Sequence, residues 1–536
     1  MRVEQLISRT VHGLLAQRAA MAGDRRFLTF EEQHFTYGEI AAAVDRLAGG
    51  LAAAGVGRDT KVAIMMSNRP EFLFTWFALS RLGAVEVPLN TAHRGELLHY
   101  MIAQSDSTVM VVEDVFLDQL RAVRATLHDL RTVVVLGEGD RTGLGADVRD
   151  YAVLANSDPL ADAPDIGPAD PLAMMFTSGT TGPSKGAVVP QIYPLYMAET
   201  IAEACGYGEA DCLYNALPLF HGNAQFLSTL PALLSGARMV LARRFSASSF
   251  WSDIRRHGCT EFNYIGGILP ILWKAEPTPE DATSPLRIMM GAGAPKDLFE
   301  AFEQRFNVRI VEGYGMSEIG IPLTNTIDHR KPGSCGRVLD DRYEVQLVDD
   351  EGQEVAVDTP GELLIRPRRM NSMMLEYYRM PEKTVEAWRD LWFHTGDFLR
   401  RDAEGYFYFV DRKKDALRRR GENISSYEVE RTVNAHPAVL ESAAVAVASD
   451  VGEDEVMICL TLKPGQSLEP VDLIRHCQER MAYFMVPRYV RILDALPKTP
   501  TERVQKYALR AAGVTADTYD RQSDPSVAEA PRKARA

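Results

Sequence analysis

Thr177-Ser178-Gly179-Thr180-Thr181-Gly182-Pro183-Ser184-Lys185-Gly186 follows directly on the apolar run Leu172-Ala173-Met174-Met175-Phe176. Its glycines allow backbone N–H groups to turn inward and approach a phosphate closely, its hydroxyls add donors, and Lys185 adds a positive charge. A triphosphate could be held there and its departing pyrophosphate stabilised. The order of residues is not that of a Walker A loop, and no GxGxxG occurs in it, which argues against a dinucleotide fingerprint. A surface loop of small residues is the plain alternative, and the buried strand immediately before it weighs against that.

Outward from this loop the first 130 residues alternate two patterns. Residues 37–55 carry apolar side chains at helical spacing, Lys61-Val62-Ala63-Ile64-Met65-Met66 reads as a buried strand, and helical spacing returns at 70–82. A short strand at 84–89, a helix at 94–104 and the β-branched run 108–112 continue the series. Strands alternating with helices predict an α/β fold with a parallel sheet covered on both faces. From 333 to 410 short alternating segments separated by Gly, Asp and Pro predict a β-rich subdomain, a distorted barrel. Gly405-Tyr406-Phe407-Tyr408-Phe409-Val410 ends abruptly in Asp411-Arg412-Lys413-Lys414-Asp415, which marks the main domain boundary. The remainder reads as a small α+β domain with a capping box at Ser425-x-x-Glu428 and a strand at 442–448. The expected organisation is a large domain over 1–410, a hinge at 411–414, a mobile domain over 415–514 and a frayed tail over 515–536.

With 536 residues, the chain exceeds one ordinary core. Lys and Arg total 59 against 73 Asp and Glu, and this acidic balance speaks against a general nucleic-acid binder. No stretch approaches the roughly 20 apolar residues that span a bilayer, and no signal peptide is evident. The six cysteines form no CxxC pair, which fits free thiols in a reducing cytoplasm.

Further motifs follow in order. In Glu312-Gly313-Tyr314-Gly315-Met316-Ser317-Glu318 a ring can stack on a purine, a hydroxyl can bond a phosphate and a carboxylate can hold Mg²⁺. Asp397 in Thr395-Gly396-Asp397 can accept two ribose hydroxyls. Read singly, each of these is more often a core aromatic or a turn. Together they resemble the adenylate-forming superfamily, which comprises acyl-CoA synthetases, adenylation domains of peptide synthetases and luciferases. The text around 418–430 most resembles carnitine/crotonobetaine-type and fatty acyl-CoA ligases.

The resemblance implies an adenylate-forming fold and a set of site residues. Thr177, Ser178, Gly179, Thr180, Thr181 and Lys185 would hold phosphates. Gly293, Ala294, Tyr314, Gly315 and Ser317 would line the nucleotide pocket, Asp397 and Arg412 would grip the ribose, and Glu318 would hold Mg²⁺. Gly266, Gly267 and Gly291 suggest a roomy apolar acyl pocket, and His221, in Leu217-Pro218-Leu219-Phe220-His221-Gly222-Asn223, lies between acyl pocket and thiol tunnel. Lys414 matches the pivot about which the small domain rotates, and Gly421 would let the pantetheine arm of CoA pass. The arginines of Arg418-Arg419-Arg420 could attract CoA phosphates.

One motif departs. Where the family reads Pro-Lys-Thr-x-Thr/Ser-Gly-Lys-Ile/Val-x-Lys, this chain reads Pro497-Lys498-Thr499-Pro500-Thr501-Glu502-Arg503-Val504-Gln505-Lys506. Arg503 thus replaces the catalytic lysine of the adenylation step, keeping the charge but not the compact geometry. The resulting expectation is an enzyme that converts acyl-adenylate and CoA to acyl-CoA and AMP, with adenylation from ATP weakened or lost, unless Arg503 or Lys506 serves. Such an enzyme could draw its adenylate from a separate adenylating enzyme. The alternatives are a complete two-step ATP-dependent synthetase, acyl transfer to a separate carrier protein, and a non-catalytic nucleotide-binding module.

Overall fold

The structure is a computed structural model. It describes residues 1–527 except 146, 178–183, 266–267, 295, 350, 413–416, 420–421, 425, 450–453, 498–503 and 505, and it leaves out the side chains of 296, 297, 411, 412, 418, 423, 427 and 507. Two compact units emerge: Met1–Thr91, Met101–Phe176 and Gly186–Asp411 in one, Ala92–Tyr100, Thr177–Lys185 and Arg412–Ala536 in the other.

Local chemistry sets the elements of the first unit. Helix Tyr37–Ala53 opens on a capping box: Thr36 Oγ1 accepts from Glu39 N–H and the Glu39 carboxylate accepts from Thr36 N–H. Its buried Ile40, Val44, Leu47, Ala48 and Leu51 recur at the 3.6-residue period. Helix Pro70–Leu82 begins with proline in its first turn and stops at Gly83, whose φ of +66° suits glycine. The run at 61–66 forms strand Lys61–Met65, in parallel register with Val85–Pro88 on one side and Val109–Glu113 on the other. Thr132–Leu136 and Asp147–Asp150 extend this parallel series.

A nine-stranded sheet forms the second layer of strands. Glu261–Asn263, Ile288–Gly291 and Arg309–Met316 lie side by side in parallel within it, with Asn263 opposite Met290 and Gly291 opposite Glu312. Their C-terminal ends therefore deliver Tyr264, the 291–294 turn and the 314–318 turn to one edge, where open α/β sheets carry their ligands. One apolar cluster joins residues of both large sheets. The β-rich subdomain is a four-stranded sheet of Tyr343–Val348, Gly361–Pro367, Phe393–Arg401 and Phe407–Arg412, in that order.

The second unit is built on a four-stranded sheet of Val439–Ala448, Asp454–Leu462, Tyr489–Ile492 and Tyr519–Asp520. Of the segment expected from sequence to be a frayed tail, residues 515–527 are described. Tyr519–Asp520 pairs antiparallel with Tyr489 and Val490, and Arg521 is buried. Backbone pairing compensates there for the lack of apolar side chains. Arg419, one of the three arginines expected from sequence to attract CoA phosphates, is 1% exposed and ion-paired to Glu455 at 2.7 Å, with Nη1 donating to Phe484 O at 3.0 Å. It holds the unit together and is not offered to a ligand. Among the described residues no helix is long and apolar enough to cross a membrane.

Candidate active site

Tyr314, near the end of strand Arg309–Met316, is buried, 9% exposed, and its hydroxyl donates to Asp397 Oδ2 at 2.7 Å. Asp397 comes from strand Phe393–Arg401, where Gly396 adopts φ +71°. The Thr395 hydroxyl donates to Leu363 O at 2.8 Å and accepts from Asp397 N–H at 3.1 Å. That bracing fixes the carboxylate and, through it, the plane of the ring. Burial, then the neighbouring Asp397 charge, pushes the Tyr314 phenol well above its ordinary range, so it stays a donor.

Three residues further, the turn at 317–319 is clamped by Tyr193. Its hydroxyl donates to Ser317 O at 2.9 Å and accepts from Gly320 N–H at 2.9 Å. Glu318 is buried, its backbone carbonyl accepts from Met374 N–H at 2.8 Å, and its Oε1 accepts from the Tyr377 hydroxyl at 2.9 Å. Gly315 is required by its neighbour, because a Cβ there would stand 2.2 Å from Gly320 O.

The adjoining 291–294 turn is bound to the same strand ends. The Glu312 carboxylate accepts from Ala294 N–H at 2.7 Å and from the Tyr264 hydroxyl at 3.2 Å. Gly293, at φ +81°, aims a further N–H at it. Burial nevertheless dominates and raises the Glu312 carboxyl to about 7. Gly291 does not provide open space for an acyl group: a Cβ there would lie 2.7 Å from the Tyr264 ring and 2.4 Å from its carbonyl. The glycine admits the tyrosine. The His221 ring packs edge-on against Phe220 at 4.7 Å, and the His221 backbone N–H donates to Pro218 O at 3.1 Å.

The structure thus brings Tyr314, Gly315, Ser317, Glu318, Asp397, Gly291, Gly293 and Ala294 to the C-terminal ends of adjacent strands and the facing sheet. Thr177 and Lys185 are counted with the second unit. Ser178, Gly179, Thr180, Thr181, Gly266, Gly267, Lys414, Gly421, Arg503 and the side chain of Arg412 lie outside the described residues. Lys506 has a role within the second unit: its ammonium reaches Glu430 Oε1 at 2.6 Å and Ser426 Oγ at 2.7 Å. Sequence reading missed Tyr377 and Tyr193 and gave Glu312 no role, since each acts through a partner far along the chain.

Chemically, the edge offers an aromatic face fixed to a carboxylate, and a second carboxylate whose hard oxygens suit a divalent cation. Among the described residues no group of three or more His, Cys, Asp or Glu could enclose a metal. Glu318 is a carboxylate that could share a cation with substrate phosphates, which is how Mg²⁺ is commonly bound.

The family model for AMP-binding enzyme matches residues 15–378, and that for the AMP-binding enzyme C-terminal domain matches 428–503. The crotonobetaine/carnitine–CoA ligase of Salmonella typhi is 29% identical over 502 residues, 92% of this chain and 97% of that protein. A double mutant of o-succinylbenzoate CoA synthetase from Bacillus subtilis, solved with a product analogue, superposes with a TM-score of 0.81 at 25% identity, covering 93% of this chain and 98% of that one. The fatty acyl CoA synthetase of Mycobacterium tuberculosis is 26% identical with a TM-score of 0.66, covering 94% and 98%.

Proposed function

This chain belongs to the AMP-binding enzyme family, and from there we propose that it is a complete ATP-dependent acid–thiol ligase that joins a carboxylic acid to CoA through an acyl-adenylate. The observation that carries the reading is the bond between Tyr314 and Asp397. It presents a flat ring for a purine beside a carboxylate for two ribose hydroxyls, a pairing that a merely structural tyrosine does not need. In the first step a carboxylate oxygen of the acid attacks the α-phosphorus of ATP and pyrophosphate leaves. In the second, the CoA sulfur attacks the acyl carbon and AMP leaves.

Tyr314 stacks on the adenine with Gly293, Ala294 and Gly315 around it, and Asp397 and Arg412 hold the ribose. Ser317 bonds the α-phosphate, and Thr177, Ser178, Gly179, Thr180, Thr181 and Lys185 hold the leaving pyrophosphate. Glu318 holds Mg²⁺, which supplies neutralisation of phosphate charge. Lys414 is the pivot, Gly421 lets the pantetheine arm pass, and His221, Gly266 and Gly267 border the acyl group. The relatives act on chemically different acids by name, a small betaine, an aromatic diacid and fatty acids, so the reading extends to the carboxylate class and not to one acid.

A second reading has its own support: a ligase whose adenylation step is weak. Arg503 stands in the register position of the family's lysine, and Lys506, the nearest alternative ammonium, is engaged by Glu430 and Ser426. Arginine's broad fork replaces a point charge poorly between two oxygens. The acceptor remains CoA in both readings, with a carrier protein as the competing acceptor and a separate adenylating enzyme as the source of adenylate in the second.

The test is two half-reactions on the purified chain. Acid panels with ATP and Mg²⁺ are assayed for pyrophosphate, and preformed acyl-adenylates with CoA for thioester. Turnover in both supports the complete ligase, turnover in the second alone supports the weakened one, and turnover in neither refutes both.

A further inference from the structure

Glu312 stands at the nucleotide edge, yet neither half-reaction gives it a task. It is buried on strand Arg309–Met316, opposite Gly291, and strand alternation puts it on the same face as Tyr314 two positions on. Burying a carboxyl costs free energy that an apolar side chain would not. What this carboxyl provides instead is a fixed acceptor. Its Oε1 accepts from the Ala294 N–H at 2.7 Å and from the Tyr264 hydroxyl at 3.2 Å.

The acceptor rests on a rigid base. Asn325 donates to Glu312 O twice, from its backbone N–H at 2.9 Å and from Nδ2 at 3.0 Å. Asn325 is itself buried, and its Nδ2 also donates to Ser334 O at 2.8 Å. The main chain at Glu312 cannot drift from the sheet edge without breaking this buried network.

Two arms leave the fixed oxygen. The first is the 293–294 turn, which surrounds the adenine in the ligase reading. The second is Tyr264. Its ring is fully buried against Gly291, where a Cβ would stand 2.7 Å from it, and its backbone N–H donates to Met290 O at 2.8 Å. Two residues beyond Tyr264 the chain reaches Gly266 and Gly267, which border the acyl group in the same reading. One carboxylate oxygen therefore joins the nucleotide side of the site to its acid side.

We propose that Glu312 is a positioning residue for both substrates: its Oε1 holds the 293–294 turn against the nucleotide and, through the Tyr264 hydroxyl, the start of the segment that borders the acid. The role deepens the acid–thiol ligase reading and rests on it. An amide oxygen can take the same two donors, so Glu312→Gln keeps both arms. Glu312→Leu removes both. Tyr264→Phe cuts only the acid arm and keeps the ring that packs on Gly291.

Calorimetric titrations of the full chain decide it, with AMP and separately with the acid whose preformed adenylate the chain converts to thioester. Circular dichroism reports the folding of each variant. E312L should bind AMP and the acid each roughly tenfold more weakly, as ligands do when the segments that position them are misplaced. E312Q should restore both affinities to within about threefold of wild type, because the acceptor is retained. Y264F should weaken the acid by about five- to tenfold, the scale of one hydrogen bond, and AMP by less than about twofold. A folded E312L with wild-type affinities, or an E312Q as damaged as E312L, overturns the role. An unchanged acid affinity in Y264F, or equal losses for acid and AMP, overturns the acid arm, and this variant decides that arm even if E312L does not fold. A wild-type chain that binds no AMP and turns over neither half-reaction overturns the ligase reading and this role with it. Wild-type AMP binding and turnover that E312L leaves untouched overturn the positioning role alone.

Discussion

The hydroxyl of Tyr314 and Oδ2 of Asp397 meet at 2.7 Å although 83 positions separate them in the chain. The bond makes one device of an aromatic face and a ribose-type carboxylate. Removing the carboxylate should therefore do two kinds of damage: the sugar loses its acceptor and the ring loses its anchor. Asp397→Ala is expected to weaken AMP binding by about 1.5–3 kcal/mol, the range for hydrogen bonds to a charged group. Tyr314→Phe, which keeps the ring, should cost only about 1 kcal/mol. Calorimetric titration with AMP checks the order; unchanged affinity in D397A would remove the nucleotide from this edge.

Glu318 and Tyr377 make a second such pair, at 2.9 Å. If Glu318 serves the phosphates through Mg²⁺, its loss should be felt where the triphosphate reacts and not where the thiol does. Glu318→Gln is expected to slow pyrophosphate release by about 10²–10³-fold, the usual scale for a preorganised electrostatic contact. Thioester formation from supplied adenylate should stay near wild type. Tyr377→Phe should raise the Mg²⁺ concentration needed for half-maximal rate while leaving the saturated rate closer to wild type. Equal slowing of both half-reactions in E318Q would argue for a structural acid instead.

Much of this was legible in the sequence where the determining forces are local. The 37–55 periodicity became helix Tyr37–Ala53 because its cap and apolar stripe lie within the segment. The run at 61–66 became strand Lys61–Met65 because a doubly covered parallel strand must be apolar throughout. The Tyr314 and Asp397 residue types were readable, but their contact was not, being set by two different sheets. For the same reason Arg419 reads in sequence as a charge available to CoA phosphates until Glu455 is found beside it. Gly291 illustrates the ambiguity of glycine: in sequence it signals space, and only the packing reveals that the space belongs to Tyr264.

Glu312 gives the molecule a titration near neutrality. Burial raises its carboxyl from 4.5 to about 7 against the pull of the Ala294 and Gly293 N–H groups and the Tyr264 hydroxyl. The folded state therefore holds this proton more tightly than the unfolded chain does. Its contribution to stability is complete below pH 4.5, declines as pH rises toward 7, and is gone above that. Glu312→Gln should remove this dependence, so the stability of wild type relative to the variant should fall by up to about 1.4 kcal/mol per pH unit across the window. Denaturant unfolding of both proteins between pH 5 and 8.5 measures it. A constant difference between them at every pH would mean that the acid is ionised throughout.

Arg503 and Lys506 can be separated by what each should leave intact. Lys506 bridges the helices Lys506–Ala512 and Ser426–Asn434 through Glu430 and Ser426. Lys506→Met should therefore cost stability, on the order of 1.5–3 kcal/mol for charge-assisted bonds, without changing the rate of pyrophosphate release in the fraction that remains folded. Arg503→Lys should have the opposite profile. Placing a compact ammonium at that register position should accelerate pyrophosphate release by roughly tenfold or more if Arg503 limits adenylation. Unfolding should be unaltered. Urea denaturation and pyrophosphate assays on both variants give four numbers that distinguish the two residues. Loss of pyrophosphate release in a fully folded K506M protein would transfer the adenylating role to Lys506, and an R503K rate equal to wild type would mean that arginine serves this enzyme as well as lysine.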